Sequence, residues 1–224
     1  MSRLDRARAA AQRHRKVRFG TLRRTSPVGE RWGWDRGLPV DRYYIERFLG
    51  DHREDIRGRV LEVKDDDYAR RFGSQLERVD VLDIDSSNTR ATIVADLAAA
   101  DEIPEGSFDC VVVTQTLQYI YDVHAAIGHT HRILRPGGVA LVTVPAVSRV
   151  VVDVRSPDYW RFTAASCTQL FRARFGEVSV ESLGNVLSSI TFLSGMATED
   201  LRRSELDVQD ERFPVIVAVR ALKE

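Results

Sequence analysis

Three acidic residues stand at the ends of short apolar runs, where carboxylates can bind a ligand. Glu62 lies in the first run, Asp83 lies 21 residues further on, and Asp96 follows the third run. In nucleoside-binding sheets, an acid about 20 residues beyond the first turn binds ribose hydroxyls. Asp83 is therefore the ribose candidate, with Asp85 as its alternative. Such a carboxylate-rich site also suits a cation, whether an ammonium, a sulfonium or a metal ion.

The turn after the first run is rich in aspartate and contains no glycine. It reads Lys64-Asp65-Asp66-Asp67. A loop that cradles a pyrophosphate needs glycines for close approach of its backbone, and three carboxylates repel an anionic phosphate. The sequence therefore disfavours NAD, FAD and ATP as ligands. At least two of the aspartates are interpreted as N-capping residues of a helix, and Mg²⁺ binding is a hypothesis without further sequence support.

A second group of reactive side chains follows the fifth apolar run. Asp158 is the candidate general base for removing a proton from a hydroxyl. Tyr159 and Trp160 can form a flat wall on which a sugar or an aromatic ring stacks, and Arg161 and Trp34 complete the predicted acceptor site. The alternative, an exposed aspartate followed by core aromatics, fits each residue taken singly.

Histidines and cysteines do not form a recognisable site in this sequence. His124 and His131 share one helix face but are too far apart for a metal clamp. Cys110 and Cys167 are predicted to be buried, inert thiols, because two cysteines supply neither a disulfide framework nor a zinc site. No metal-binding residue is predicted.

Short apolar runs, separated by segments long enough for a helix or a crossover, predict how these residues are positioned. The pattern is typical of parallel βαβ units and predicts a doubly wound α/β sheet with helices on both faces. Ligands should bind where the first and fourth strands end, and the two terminal strands should lie beyond the fifth. The predicted strands are Val60–Val63, Val79–Ile84, Thr92–Val94, Phe108–Thr114, Val139–Val144, Val178–Leu183 and Val215–Leu222.

Length and composition favour one compact catalytic domain with N-terminal additions. The 224 residues are 43% hydrophobic and 29% charged, as in globular proteins. We predict a basic arm over residues 1–18, a cap and helix over 19–55, and an α/β domain over 56–224. Asp41 is the predicted N-cap of the helix in the cap, and Thr163 caps another helix that ends near Phe175.

Charge is distributed unevenly along the chain, although the formal net charge is zero. Residues 1–36 hold eleven basic and three acidic residues. Aromatic residues are absent before Phe19, which favours an arm that docks on the acidic body, with nucleic acid as the minor alternative. Arm and cap also allow a homodimer by exchange. The sequence shows no membrane-spanning run and no secretory signal, which predicts a cytoplasmic protein.

Several motifs, in order and at family spacing over about residues 56–146, resemble the class I S-adenosylmethionine-dependent methyltransferases. The motifs are Val60-Leu61-Glu62-Val63, Leu82-Asp83-Ile84, Ile93-Val94-Ala95-Asp96-Leu97, Gly106-Ser107-Phe108-Asp109-Cys110-Val111 and Leu134-Arg135-Pro136-Gly137-Gly138-Val139. The flanks at 41–46 and 158–163 resemble a branch linked to glycosyltransferases and sugar modification. The sequence departs from the family at Lys64-Asp65-Asp66, where the family has Gly-x-Gly, and at Gln118, where histidine is common.

This resemblance implies a Rossmann-like, seven-stranded sheet with S-adenosylmethionine as the cofactor and a small molecule as the substrate. The implied cofactor-binding residues are Glu62, Val63 and Lys64 at the methionyl part, Asp83 and Ile84 at the ribose, Asp96 and Leu97 at the adenine, Gln115 and Thr116 after the fourth strand, and Tyr43 or Tyr44 at the amino-acid end. Gln118 and Tyr119 would close the pocket and join Asp158 as catalytic candidates.

Three functions fit these observations. The leading hypothesis is methylation of a hydroxyl on a sugar-containing small molecule or secondary metabolite. The second keeps the fold for other chemistry, such as a lyase, isomerase or cyclase reaction. The third is a non-catalytic partner subunit that uses the basic arm.

Overall fold

Seven strands form one mixed sheet in the part of the chain that this computed structural model describes, residues 18–153 and 157–224. Their order is β3-β2-β1-β4-β5-β7-β6. The first five are parallel, and β7 is antiparallel to both of its neighbours. The sheet confirms the predicted α/β architecture, including two terminal strands beyond the fifth. The strands are β1 Gly58–Val63, β2 Leu76–Asp83, β3 Ile93–Val94, β4 Phe108–Thr114, β5 Leu134–Pro145, β6 Glu177–Leu183 and β7 Ile216–Leu222.

Helices cover both faces of the sheet, which explains why its central strands are almost continuously apolar. On one face, α3 and α4 pack on alternate strand residues such as Val111 and Val142. On the other, α1, α2, α5 and α6 pack on residues such as Val112 and Leu141. The helices are α1 Val40–Asp51, α2 Asp67–Phe72, α3 Val123–Ile133, α4 Ala164–Arg172, α5 Val186–Leu193 and α6 Arg203–Leu206.

Helix α1 starts differently from the prediction. Its N-cap is Pro39, which makes no side-chain capping bond, and Asp41 lies buried inside the first turn. The prediction of Asp41 as N-cap was therefore wrong. Its carboxylate accepts a hydrogen bond from the backbone N–H of Arg42, and burial raises the pKa of Asp41.

Helix α4 starts with the predicted Thr163 cap. The Thr163 hydroxyl accepts the backbone N–H of Ser166 at 3.1 Å, and the Ser166 hydroxyl accepts the backbone N–H of Thr163 at 3.0 Å. This reciprocal pair is a capping box. We expect Thr163→Ala to lower the free energy of unfolding by about 1 kcal/mol, measured by urea denaturation. Thr163→Ser keeps the hydroxyl and should stay close to wild type, and an equal loss in both variants would contradict the assignment.

The cap that precedes α1 packs against the segment after α5. The N–H of Val28 donates to the carbonyl of Ser194 at 2.6 Å, and Pro39 forms an isolated bridge with Ala197. Arg36 forms an ion pair with Asp200 at 2.6 Å. The predicted basic arm lies outside the described residues, apart from Arg18. None of the helices in the described ranges has the length and apolarity needed to cross a membrane.

Candidate active site

The carboxyl ends of β1 and β4 lie side by side, at the point where the strand order reverses. Ligands bind at this position in open parallel sheets. The register pairs Glu62 with Val81 and Val112, and Thr114 with Thr143. Because side chains alternate along a strand, Glu62, Thr114 and Thr143 share one face with Asp83. The sheet thus brings polar side chains of four strands together at one edge.

Glu62 is buried and supports the helix that follows it. Its carboxylate, 1% exposed, accepts the backbone N–H of Ala69 at 2.7 Å and of Tyr68 at 3.2 Å. These N–H groups belong to the first turn of α2, where no preceding turn supplies carbonyl acceptors. Burial raises the pKa of Glu62 to about 8, although the two N–H donors oppose the rise.

This carboxyl gives the protein a pH-dependent stability. A carboxyl with a raised pKa in the folded chain stabilises the fold below its ordinary pKa of 4.5 and loses that contribution as the pH rises through about 8. Between about pH 5.5 and pH 8.5, the free energy of unfolding of the wild type should fall on the order of 2 kcal/mol further than that of Glu62→Gln. Urea denaturation at both pH values measures this difference. The exposed Glu77→Gln is the control, and parallel falls in wild type and Glu62→Gln would contradict the prediction.

Ion pairs hold the glycine-free turn after β1. Lys64 adopts a φ of 80°, a left-handed conformation that glycine usually provides. Arg90, from the loop between β2 and β3, contacts the carboxylates of Asp66 and Asp67, the latter at 2.5 Å. Asp65 accepts the backbone N–H of Asp67 at 3.3 Å. Asp66 occupies the N-cap position of α2 but makes no side-chain capping bond, and Asp67 lies in the first turn. The prediction that at least two of the aspartates are N-capping residues therefore holds only for the position of Asp66.

These pairs also bear on the Mg²⁺ hypothesis. Two of the three aspartates are neutralised by Arg90, and Asp66 is also paired with Arg70. Residues 18–153 and 157–224 contain no group of three or more histidine, cysteine, aspartate or glutamate side chains that could hold a metal ion. The described turn therefore gives Mg²⁺ no support.

Asp83 is the last residue of β2, and its carboxylate has unused hydrogen-bond acceptor positions. Its Oδ1 accepts the N–H of Asp85 at 3.0 Å, and its Oδ2 accepts the side-chain amide of Asn88 at 2.7 Å. A carboxylate has about four acceptor positions, so two remain for a ligand. The same amide of Asn88 donates to the carbonyl of Lys64 at 2.8 Å. Asn88 thereby ties the turn after β1 to the end of β2.

Exposed apolar side chains flank this acid. Ile84 is 71% exposed and Val94, at the end of β3, is 50% exposed. Asp96 caps the short helix that follows β3 by accepting the N–H of Ala98 at 2.8 Å, and Leu97 is buried. An apolar pair next to a carboxylate at a strand edge suits a flat base joined to a ribose.

Three buried polar atoms lack hydrogen-bond partners at the ends of β4 and β5. They are Gln115 Nε2, Gln118 Oε1 and Thr143 Oγ1, each unpaired within the described ranges. Gln115 has a φ of 47°, and its carbonyl accepts the Gln118 side-chain amide at 2.8 Å. Buried polar groups normally have partners, so these three indicate a site for a polar ligand. By contrast, the Thr116 hydroxyl donates to the carbonyl of Thr114.

The loop after β5 packs onto the turn after β4. The carbonyl of Gln118 accepts the N–H of Tyr159 at 2.8 Å and that of Trp160 at 3.3 Å. The indole of Trp160 donates to the carbonyl of Ile120 at 3.0 Å. Tyr121, 71% exposed, contacts both aromatic rings at centroid distances of 5.3 and 6.0 Å. The result is an exposed aromatic cluster of Tyr121, Tyr159 and Trp160 next to Tyr119.

Asp158 and Arg161 form a bidentate pair inside this loop. The two oxygens of Asp158 lie 2.5 and 2.8 Å from the guanidinium nitrogens of Arg161, and one oxygen also accepts the N–H of Val151. The Asp158 side chain is 2% exposed. Its pKa is lowered from the ordinary value, because the bonds from Arg161 and Val151 outweigh burial. A carboxylate held in this way is a weak base, so the geometry does not favour the predicted general-base role.

Three predicted ligand-binding aromatics lie elsewhere. Tyr44 is completely buried and donates to the carbonyl of Leu206, and Tyr43 donates to Asp207. Both hydroxyls therefore bind the α6 region and not the amino-acid end of a cofactor, which corrects that expectation. Trp34 is 55% exposed in the cap. Its only described hydrogen bond runs from its backbone N–H to the carbonyl of Arg31.

Several site residues gave little signal in the sequence. Asn88 and Arg90 lie in the loop between β2 and β3, without a motif. Arg42, which donates to the Tyr68 hydroxyl at 3.0 Å, lies in the 41–46 flank but was not singled out there. Thr143 could have been found from the sequence, since it is the polar residue in an otherwise apolar run. Both cysteines are buried, as predicted, and burial raises the pKa of Cys167 to about 12.

Comparison with known proteins places the fold among methyltransferases. A Mesorhizobium loti S-adenosylmethionine-dependent methyltransferase is 19% identical, with 82% of this chain and 100% of that chain covered and a TM-score of 0.54. A chain of the Haloferax volcanii complex that contains the Trm112 methyltransferase activator is 18% identical, with 82% and 92% covered and a TM-score of 0.56. The [4+2]-cyclase SpnF is 16% identical, with 89% and 87% covered and a TM-score of 0.54. No curated protein sequence matches.

The sheet order and these neighbours define a class I methyltransferase fold. Residues 45–184 match the model of the methyltransferase domain family. Because this match spans more than half of the chain, the protein belongs to that family.

Proposed function

We propose that the protein uses S-adenosylmethionine to methylate a hydroxyl group of a small, sugar-containing acceptor. The observation that carries the proposal is the group of unpartnered buried atoms on Gln115, Gln118 and Thr143. They lie between the acidic end of β2 and the aromatic loop, so a ligand bound here would contact both.

The residues at the strand ends fit an adenosyl cofactor. Asp83 has two acceptor positions left for the ribose hydroxyls, and Ile84 and Val94 expose apolar surface for the adenine, with Asp96 close in the chain. The unpartnered amide of Gln115 can donate to the cofactor. The backbone at Lys64 adopts the left-handed conformation that a glycine at this position would adopt.

When bound, S-adenosylmethionine supplies a methyl group on a positively charged sulfonium. The protein then has to orient the acceptor for in-line attack. Asp158 is charged at neutral pH, since its pKa is lowered, and its pair with Arg161 holds the loop that carries Tyr159 and Trp160. Gln118 Oε1 and the Tyr119 hydroxyl can hold the acceptor hydroxyl. The exposed rings of Tyr159 and Trp160 offer stacking surface for a sugar.

Calorimetric titration of S-adenosylmethionine and S-adenosylhomocysteine into the purified protein tests the cofactor. We expect micromolar binding, unchanged by magnesium. Absence of binding with and without magnesium would overturn the proposal. Transfer of a labelled methyl group to a panel of glycosides and their deoxy analogues then tests the acceptor, and labelling that persists without the hydroxyl would exclude O-methylation.

Non-methylating chemistry is the second candidate. It is favoured by the missing glycines after β1, and the solved structure of the [4+2]-cyclase SpnF has a similar fold. Here we expect cofactor binding without any methyl transfer to acceptors. The third candidate, a partner subunit, requires that deletion of residues 1–16 abolish complex formation while folding is preserved.

A further inference from the structure

Helix α5 exposes apolar side chains to solvent. Val186, Ile190 and Leu193 recur at helical spacing and are 48%, 44% and 46% exposed, and Leu187 is 41% exposed. A helix that packs on a sheet normally shows polar residues on its outer face. In α5, the buried positions include the polar Ser188 and Thr191. Because apolar side chains lie on the outer side of α5 and polar ones on the inner side, we expect a ligand or a partner to bind the outer side.

A cleft of about 620 Å³ borders this face of α5. Its volume lies in the range of about 300–1,000 Å³ that is typical of small-molecule sites. The walls come from the loop after β5, the start of α4, α5 and the segment before β7. The apolar lining includes Ala146, Val147, Phe162, Ile190, Leu193 and Phe213.

Three of the polar side chains on the walls have partners within the protein. Thr163 belongs to the capping box of α4, and the Ser189 hydroxyl donates to the carbonyl of Phe213 at 3.0 Å. Arg212 forms an ion pair with Asp210 at 2.7 Å. Because burying an unpaired polar group is costly, the part of a ligand that fits this cleft is apolar.

The loop after β5 connects this cleft to the candidate active site. Phe162 lines the cleft and donates its N–H to the carbonyl of Pro145. The preceding residues Tyr159 and Trp160 contact Gln118 on the other side. Within the same loop, Val152 is 96% exposed. The segment Tyr159–Phe162 thus links the aromatic cluster to the wall of the cleft.

We propose that the cleft binds a hydrocarbon chain of the acceptor, whose sugar hydroxyl lies at Gln118. This inference rests on the proposed function and names its substrate class as an alkyl-bearing glycoside. Fifteen residues line the cleft, fewer than the roughly 20–30 residues per side of a stable protein interface. The concave shape and the shared loop favour a chain over a second copy of the protein.

Calorimetry with octyl β-glucoside, kept below its critical micelle concentration, tests the cleft. We expect octyl β-glucoside to bind wild type, glucose to bind at least tenfold more weakly, and Ile190→Ser/Leu193→Ser to lose at least tenfold in affinity for the octyl glucoside. Leu187→Ser is the matched control, because Leu187 is exposed on the same helix but does not line the cleft. Leu193→Phe fills the cleft without adding a polar group and should also block binding. This variant tests the cleft even if the double variant does not fold.

Equal affinity of wild type and the cleft variants for octyl glucoside would overturn the proposal that the cleft binds a chain. The proposal would also fail if the wild type sedimented as a dimer and the double variant as a monomer. The cofactor titration is independent of these results. Octyl glucoside binding without S-adenosylmethionine binding would refute the proposed function, while the cleft would remain a binding site for an alkyl chain. Cofactor binding without octyl glucoside binding would refute the proposal that the cleft binds an alkyl chain, while the proposed methyltransferase function would stand.

Discussion

Asp83→Ala is expected to weaken S-adenosylhomocysteine binding by about 10- to 100-fold. Hydrogen bonds to a charged group contribute about 1.5–3 kcal/mol, and each 1.4 kcal/mol is about tenfold in affinity. The Asp83 carboxylate has two free acceptor positions at the end of β2, on the same face as Glu62. Calorimetric titration of S-adenosylhomocysteine into both proteins measures the change.

Asp85→Ala is the matched control for this experiment. Asp85 is exposed two residues further on, and its carboxylate accepts the N–H of Ser87 within its own loop. Its loss should leave cofactor affinity within about threefold of wild type, as for most surface substitutions. An Asp83→Ala protein that folds and binds as tightly as the Asp85→Ala protein would refute the assignment of Asp83 to the ribose.

The turn after β1 shows how this chain replaces the family glycines. A left-handed conformation at a non-glycine residue costs of order 1–3 kcal/mol, and Lys64 adopts it with a φ of 80°. Its N–H donates to the carbonyl of Leu82 at 2.8 Å, and its own carbonyl accepts the amide of Asn88. Arg90 adds the contacts to Asp66 and Asp67. The loop between β2 and β3 thus supplies hydrogen bonds that offset the strain.

Strands were predictable from the sequence, because burial on both faces of a parallel sheet requires apolar runs. The predicted fourth strand, Phe108–Thr114, matches β4 at both ends. Ligand-site position followed from the strand order alone. The start of β5 was less visible. The strand begins at Leu134, which pairs with Phe108 of β4, and regular pairing resumes only at Val139 after a shift in register.

Side-chain directions within the site were not predictable. Tyr44 points to Leu206 because α1 packs its apolar face on the sheet, and nothing in the local sequence specifies that rotation. Arg90 reaches Asp66 across 24 residues, which depends on the order of β1, β2 and β3. Asp158 was predicted as a base from its residue type, but its basicity depends on Arg161 three residues away.

Removal of Arg161 is expected to have the largest effect on stability. Arg161 pairs with the buried Asp158 and also donates to the carbonyls of Arg149 and Trp160. Breaking one side of a buried ion pair costs about 3–5 kcal/mol, because the remaining charge stays desolvated. We therefore expect Arg161→Ala to lower the free energy of unfolding by about 3 kcal/mol at neutral pH, measured by urea denaturation.

Two comparisons isolate the buried charge as the cause. Arg161→Ala/Asp158→Asn removes both charges and should recover much of the loss, whereas a simple packing defect would persist in the double variant. Arg202→Ala breaks another pair with the same spacing, to Glu205, but Arg202 is 84% exposed, so its loss should stay below about 1 kcal/mol. The deficit of Arg161→Ala should also shrink in acid, because protonation of Asp158 neutralises the unpaired charge. A loss that is independent of both pH and Asp158→Asn would show that Arg161 acts through packing and not through its charge.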